Sequence, residues 1–296
     1  MKSRRGSLIQ LNIAVLLWGG TSMFAKGVSL PIAHIICLRS LVAAAALFLF
    51  LVAIKASMRV KPKHLWVMIL LGAILCLHWL TLFFSLRISS GAVALLAFYT
   101  YPVATVLVEP ILFREKLQKA DIALAVGVFA GVLIMVPEVS LGNSTTAGIV
   151  VGIISGLFFM ARNLITRGLV HEYAGSVLMF WQVIITGLLL LPVLFLRVPF
   201  VPSLFLSGDC DYATETIWLL LLLGVIFTAI PQTLFSASLK NLSAKTVGIL
   251  AALQVFYVAV LGYFIHDEHV TLRTVVGGLI ILACIVIETV KHVSKA

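Results

Sequence analysis

Apolar runs of about twenty residues, separated by short basic loops, dominate this chain. A run of about 20 helical residues crosses a hydrocarbon core roughly 30 Å thick. Inside that core no water pairs with the backbone, so only helices or a closed barrel satisfy every N–H and C=O. The runs lack the alternation that barrel strands require. Helices are therefore predicted over 8–28, 32–54, 65–84, 91–112, 121–137, 146–166, 175–196, 216–236, 245–264 and 272–290. Composition agrees, with 62% hydrophobic and 11% charged residues, against about 45–50% and about 25% in soluble domains. The expected fold class is an all-α polytopic membrane protein with ten transmembrane helices. The basic start, MKSRRGS, leads into a run from Leu8 that lacks a small-residue cleavage site, and it reads as the first spanning helix.

The net charge of +10 finds its explanation in the loops. Fifteen of the 21 basic residues fall on one side, among them Arg4, Arg5, Lys61, Arg114, Lys116, Arg167 and Lys245. The other side holds Lys26, Arg87, Arg197 and Arg273, while Arg39 and Arg162 lie within helices. The positive-inside rule then puts both termini in the cytoplasm of a multi-pass protein of the plasma (bacterial inner) membrane. This asymmetry removes the need for a nucleic-acid partner. Three cysteines (Cys37, Cys76, Cys284) lie in apolar runs and Cys210 in a polar loop, which is no disulfide or zinc framework. The cluster His266-Asp267-Glu268-His269 resembles metal ligands, but it sits in a short outward loop and reads as a solvated cap, so neither metal nor cofactor is expected.

An offset of 153 residues aligns "SLRISSGAVALL", running on to Glu115, with "SLKNLSAKTVGIL", running on to Glu268, without a gap. Identities are few (Ser85/Ser238, Leu86/Leu239, Ser90/Ser243), and hydropathy and spacing carry the match. Two repeats with an odd number of helices must be inverted, the pattern of secondary transporters with a site near the midplane. The expected units are residues 1–145, a first five-helix repeat, and residues 146–296, a second, inverted one, around a central cavity.

The chain resembles the EamA-type members of the drug/metabolite transporter superfamily. The resemblance rests on "LLWGGTSMFAK", the "LRS" containing Arg39, "YTYPVATVL…FREKL", and the weaker second copy ending at Glu268. It implies two inverted five-helix bundles enclosing a cavity, substrates that are small metabolites, often amino acids and their derivatives, and frequently export. The second copy lacks the Trp-Gly of the first helix and the Pro of the fourth, so those features belong to one half only.

Helical spacing places Tyr101, Thr105 and Glu109 on one face. Two readings stand for Glu109: an ionisable group with a coupling or gating role, or a residue near the cytoplasmic end that pairs with Arg114 or Lys116. Pro110 beside it removes a backbone donor and should bend the helix end. Trp18 and Thr21 on the first helix and His78 and Trp79 on the third are candidate substrate contacts. So are Tyr101, Arg162, Gln182 and Gln232, and on the ninth helix Gln254 and Tyr257. Each competes with an interhelical packing role, and Arg162 with simple snorkelling to the interface. Lys26 and Arg39 join Glu109 and Pro110 as coupling or gating candidates, with a structural role as the alternative for Arg39.

No GxxxxGK[ST], HExxH or GxSxG motif occurs, so neither ATP hydrolysis nor enzyme activity is expected. The expected function is secondary active transport, by alternating access, of a small polar metabolite, foremost an amino acid or derivative, with export as the direction. Organic anions, nucleotide-like or other metabolites are the alternative, and after them a channel or an intramembrane enzyme. The expected partners are that solute, membrane lipid and a possible coupling proton, with monomer and homodimer both left open.

Overall fold

The computed structural model describes residues 2–27, 30–89, 91–135, 143–195, 214–255, 257 and 272–294. Among these the regular structure is helical throughout, without strands. Helix α1 spans Lys2–Gly27 and α2 Ile32–Ala53; after a 3-10 turn at Pro62–His64, α3 covers Leu65–Ile88. Then follow α4 (Gly91–Phe98), α5 (Tyr101–Phe113), α6 (Lys119–Met135) and α7 (Asn143–Leu169). Helix α8 (Gly175–Leu190) continues as a 3-10 turn to Leu194. The remainder comprises α9 (Thr214–Gly224), α10 (Ile230–Ser238), α11 (Ala244–Ala251) and α12 (Leu272–Ser294). Among the described residues five stretches are long and apolar enough to cross a membrane: Ile32–Ala53, Pro62–Ile88, Thr146–Leu169, Gly175–Leu194 and Thr216–Ser238. Tyr101–Phe113, Ala244–Val255 and Val275–Cys284 are shorter apolar helices.

The predicted span 91–112 is two helices, broken at Tyr99 and Thr100. Pro102 explains the break. It has no N–H to offer the Phe98 carbonyl, and its ring crowds the preceding turn. Pro110, by contrast, sits inside α5. The helix ends only at Arg114, whose φ of 54° is left-handed, with the Arg114 and Glu115 amides both donating to the Pro110 carbonyl.

A second irregularity joins α9 to α10. Residues Val225–Ala229 form a π turn, with the Ile230 amide donating to the Val225 carbonyl, and the Thr228 hydroxyl donates to the Leu223 carbonyl at 2.6 Å. Pro231 follows and cannot donate to Phe227, so that carbonyl is left for a neighbour. Thr21 on α1 supplies a long hydrogen bond to it at 3.5 Å, as hydroxyls do for freed backbone groups in membranes. Gly20 permits the approach, because a Cβ there would overlap the Phe227 ring.

The closest helix pairs are α3 with α7, α2 with α8, α6 with α12 and α1 with α10. One apolar cluster gathers around Tyr99, Phe159 and Phe235. Another gathers around Cys37, Phe83 and Met179. Large apolar side chains such as Trp66, Ile111 and Trp218 stand exposed on the outside, as they do where the surroundings are lipid tails rather than water.

Candidate functional site

A cavity of about 60 Å³ lies where α1, α2, α3, α4, α5, α7, α10 and α11 converge. Its aromatic wall is Trp18, Phe98, Tyr101 and Phe159. These rings pack edge-on or tilted, Phe98 to Tyr101 at 4.9 Å and Trp18 to Phe159 at 6.0 Å between centroids. Tilted contacts suit the ring quadrupoles and hold the wall in one arrangement. Polar groups enter from four helices and the segment after α11: Thr21, Arg39, His78, Gln232 and Gln254.

Arg39 dominates the electrostatics. It is 2% exposed, with its guanidinium 4.2 Å from the Trp79 ring centroid and 5.5 Å from that of Phe83. Among the described residues its Nε and Nη1 have no hydrogen-bond partner. A buried donor left unmade costs about 1–3 kcal/mol, and more when it is charged. Stacking on tryptophan offsets part of that. Among the described residues Arg39 bonds to no helix end, and it lines the cavity.

His78 is held by Ser155 on α7, with Nδ1 2.9 Å from Oγ and 3.2 Å from the carbonyl oxygen. The Ser155 hydroxyl donates back to the His78 carbonyl at 3.0 Å. That uses the only serine proton, so Nδ1 is the donor and Nε2 is left as an acceptor. Gln254 is oriented in the same way. Its Oε1 lies 3.0 Å from the Tyr99 hydroxyl and its Nε2 donates to the Trp18 carbonyl at 3.3 Å. Gln232 differs, since its Oε1 is buried without a partner among the described residues.

Arg162 and Gln182 lie elsewhere. Arg162 is fully buried on α7 and donates from Nε to Gln182 Oε1 at 2.6 Å. Weaker contacts reach Met179 Sδ at 3.4 Å and Ser236 Oγ at 3.5 Å. The snorkelling alternative is thus overturned: the guanidinium points into the bundle among neutral partners. Tyr257 is half-buried and outside the cavity lining. Lys26 belongs to α1, but its side chain lies outside the described residues, as does the His266–His269 cluster.

Glu109 occupies a different place again, at the end of α5 beside the start of α11. Its side chain is 0% exposed and takes three donors: Arg167 Nη1 at 2.5 Å, the Ala244 amide at 2.6 Å and the Lys245 amide at 2.7 Å. The expected partners Arg114 and Lys116 are replaced by Arg167, which comes from α7, 58 residues away. Ser243 caps α11 by accepting from the Thr246 amide, so the helix start presents free N–H groups and the positive end of its dipole. A carboxylate is the natural ligand of such an end. Arg167 also bonds Glu115 at 2.7 Å, and Lys245 pairs with Asp121 at 2.8 Å. Together these ties latch α5, α6, α7 and α11 to one another.

Eight of the fourteen candidates thus share one cavity: Trp18, Thr21, Arg39, His78, Trp79, Tyr101, Gln232 and Gln254. Phe98, Leu95 and Ala251 also line it and were not anticipated, because nothing in an apolar run marks which side faces a void. Arg167 read as a plain loop charge. The signal available for its site was Ser243 with Thr246 three residues on, a helix-start pattern that seeks an anion.

Comparison with known proteins agrees with this picture. The model of the EamA-like transporter family matches residues 6–136 and again 146–289. The uncharacterized transporter YxxF of Bacillus subtilis (strain 168) is 23% identical over 303 residues, covering 100% of this chain and 93% of that protein. An uncharacterized transporter of Archaeoglobus fulgidus is 28% identical over 198 residues, 66% of each chain. A solved crystal structure superimposes with a TM-score of 0.78 over 96% of this chain and 98% of its own, at 18% identity, a likeness of fold alone. With its apolar helices, its cavity and a family match over both halves, this chain belongs to the EamA-like transporter family.

Proposed function

We propose that the protein is a secondary transporter that moves a small carboxylate-bearing metabolite, whether an amino acid, a derivative of one or a simple organic acid, by alternating access. The observation that carries the reading is Arg39, a buried cation without hydrogen-bond partners at Nε and Nη1 on the wall of a central cavity. A fixed guanidinium of this kind matches a carboxylate in geometry and charge. The cavity has room for about four waters and is smaller than the roughly 150 Å³ that admits benzene. It is therefore a contracted state that must widen to load.

The reading takes residues 1–145 and 146–296 as two inverted five-helix repeats that rock about the cavity. Helix pairing supports it. Exchanging the halves turns the α3–α7 contact into α1–α10 and the α3–α8 contact into α2–α9, and all four occur. The α2–α8, α5–α11 and α6–α12 contacts map onto themselves. The double match of one family model supports the same division. The basic loops favour a plasma (inner) membrane location with cytoplasmic termini, and export is the direction that the family resemblance implies. On this orientation the Glu109 latch closes the cytoplasmic end, which gives Glu109 a gating role.

The test is counterflow in proteoliposomes. Vesicles loaded with unlabelled amino acids or organic acids should take up a labelled member of the same set saturably. Flux that never saturates would replace the carrier by a channel.

A further inference from the structure

We infer that the cavity selects organic anions bearing a carboxylate and no ammonium group, so that a deaminated acid binds in preference to the amino acid of the same skeleton. This rests on the transporter reading of the same cavity and names its substrate class.

The argument is one of charge balance. An amino acid brings a carboxylate and an ammonium, and both must leave water. The carboxylate has a partner in Arg39, whose Nε and Nη1 are buried and unpaired. The ammonium has none: among the described residues no acid lines the cavity. The sequence allows few others, because Glu109 is the only acidic residue deep within an apolar run up to Tyr257. It is already held by Arg167 and two amides. The positive side of the balance is in excess. Arg162 lies three residues along α7 from the cavity residue Phe159, and all its partners are neutral. A second uncompensated cation in low dielectric raises the cost of bringing in a third.

The remaining acceptors fall short. Gln232 Oε1 is free, but the Ala251 carbonyl and Gln254 Oε1 both already face the Tyr99 hydroxyl, at 2.8 and 3.0 Å. His78 Nε2 is the other open acceptor in the cavity, and two neutral acceptors beside a guanidinium do not replace the hydration of an ammonium. Aromatic faces do attract cations. Here the Trp79 face is occupied by Arg39, and the same guanidinium repels a second positive charge. The apolar wall of Trp18, Phe98 and Phe159 instead suits the body of an apolar or aromatic acid.

The experiment uses the full chain in detergent, read by thermal unfolding and by fluorescence titration of its tryptophans. Propionate and 3-phenylpropionate are compared with alanine and phenylalanine, and with 3-phenylpropan-1-ol and 2-phenylethylamine. The acids should bind about 10- to 100-fold more tightly than the matching amino acids and the alcohol, the range for one charge-assisted contact or one unmatched charge. The amine should not bind. Arg39→Gln should erase the difference between acid and alcohol, and Arg39→Lys should keep part of it. The series on the unmodified chain stands even if Arg39→Gln fails to fold. Equal affinity for phenylalanine and 3-phenylpropionate, tighter binding of the amine, or binding by none of the acids overturns the inference. Each of those results leaves the carrier reading intact so long as counterflow of any solute saturates, whereas lost counterflow removes the carrier reading whichever ligand binds.

Discussion

Replacing Glu109 by glutamine tests the latch with almost no change of shape. The carboxylate takes three donors, from Arg167, Ala244 and Lys245, at 2.5 to 2.7 Å. An amide keeps one oxygen, which at the Oε1 position still accepts from Arg167 and Ala244. Its NH2 group then faces the Lys245 amide, so one bond is replaced by repulsion and the other two lose their charge. Hydrogen bonds to charged groups contribute about 1.5–3 kcal/mol each, and breaking a buried ion pair costs about 3–5 kcal/mol. Arg167 is 19% exposed and keeps Glu115 as a partner, which argues for the lower end. A loss of about 3 kcal/mol results, roughly a 100-fold change in an equilibrium constant. If the latch exists in every conformation, the melting temperature falls by roughly 5–10 °C. If it exists only while this end is closed, the loss appears as opening. A Thr105→Cys probe, one turn from Glu109 and 1% exposed, placed in a Cys210→Ser background, then reacts faster with a membrane-impermeant thiol reagent. Glu115→Gln is the control: its side chain is 35% exposed, and a pair so wet contributes about 1 kcal/mol or less. Unchanged melting together with unchanged labelling in Glu109→Gln would refute the latch, and a melting loss without faster labelling would reduce it to a structural tie.

Three further outcomes are expected. Gln182→Leu removes the one short hydrogen bond to Arg162 and should lower stability by about 1–3 kcal/mol, read by thermal unfolding in detergent. Gly156→Ala puts a Cβ 2.7 Å from the Phe98 carbonyl oxygen; such overpacking costs about 1–3 kcal/mol and, beside the cavity, should also weaken ligand binding measured by tryptophan fluorescence. At the loop–turn contact, the Lys61 hydrogen bond holds the Glu172 carboxyl below its usual range, and Glu172 raises the Lys61 ammonium. For Glu172 the depressed folded value means stability present above the unfolded carboxylate range of about 4.3 and lost as pH falls through the lower folded value. For Lys61 the raised value means stability present below about 10.4 and lost as pH climbs past it. Lys61→Ala should therefore differ from the unmodified chain by a constant offset between these limits, converge with it at either extreme, and show a smaller offset at high salt.

The sequence by itself determined the membrane class and the place of spans such as 32–54 and 175–196. Transfer of apolar surface and pairing of backbone groups are nearly additive along the chain, so they can be read from 32–54 or 175–196 without knowing any neighbour. Helical spacing likewise placed Tyr101, Thr105 and Glu109 on one face, and all three are buried. Only the tertiary structure decided partners. The sequence offered Arg114 and Lys116 to Glu109, whereas packing brought Arg167 and the start of α11 from 58 and 135 residues away. Arg39 and Arg162 are alike as cations within apolar runs, yet one stacks on Trp79 at the cavity and the other binds Gln182 behind it. The helix break at Tyr99–Thr100 follows from Pro102, and Pro231 offers no N–H to the Phe227 carbonyl. Which neighbour satisfies the carbonyl that a proline frees depends on where another helix lies, as Thr21 does for Phe227. Burial is a property each residue carries along its own helix, but a contact belongs to two helices at once and exists only after they have packed.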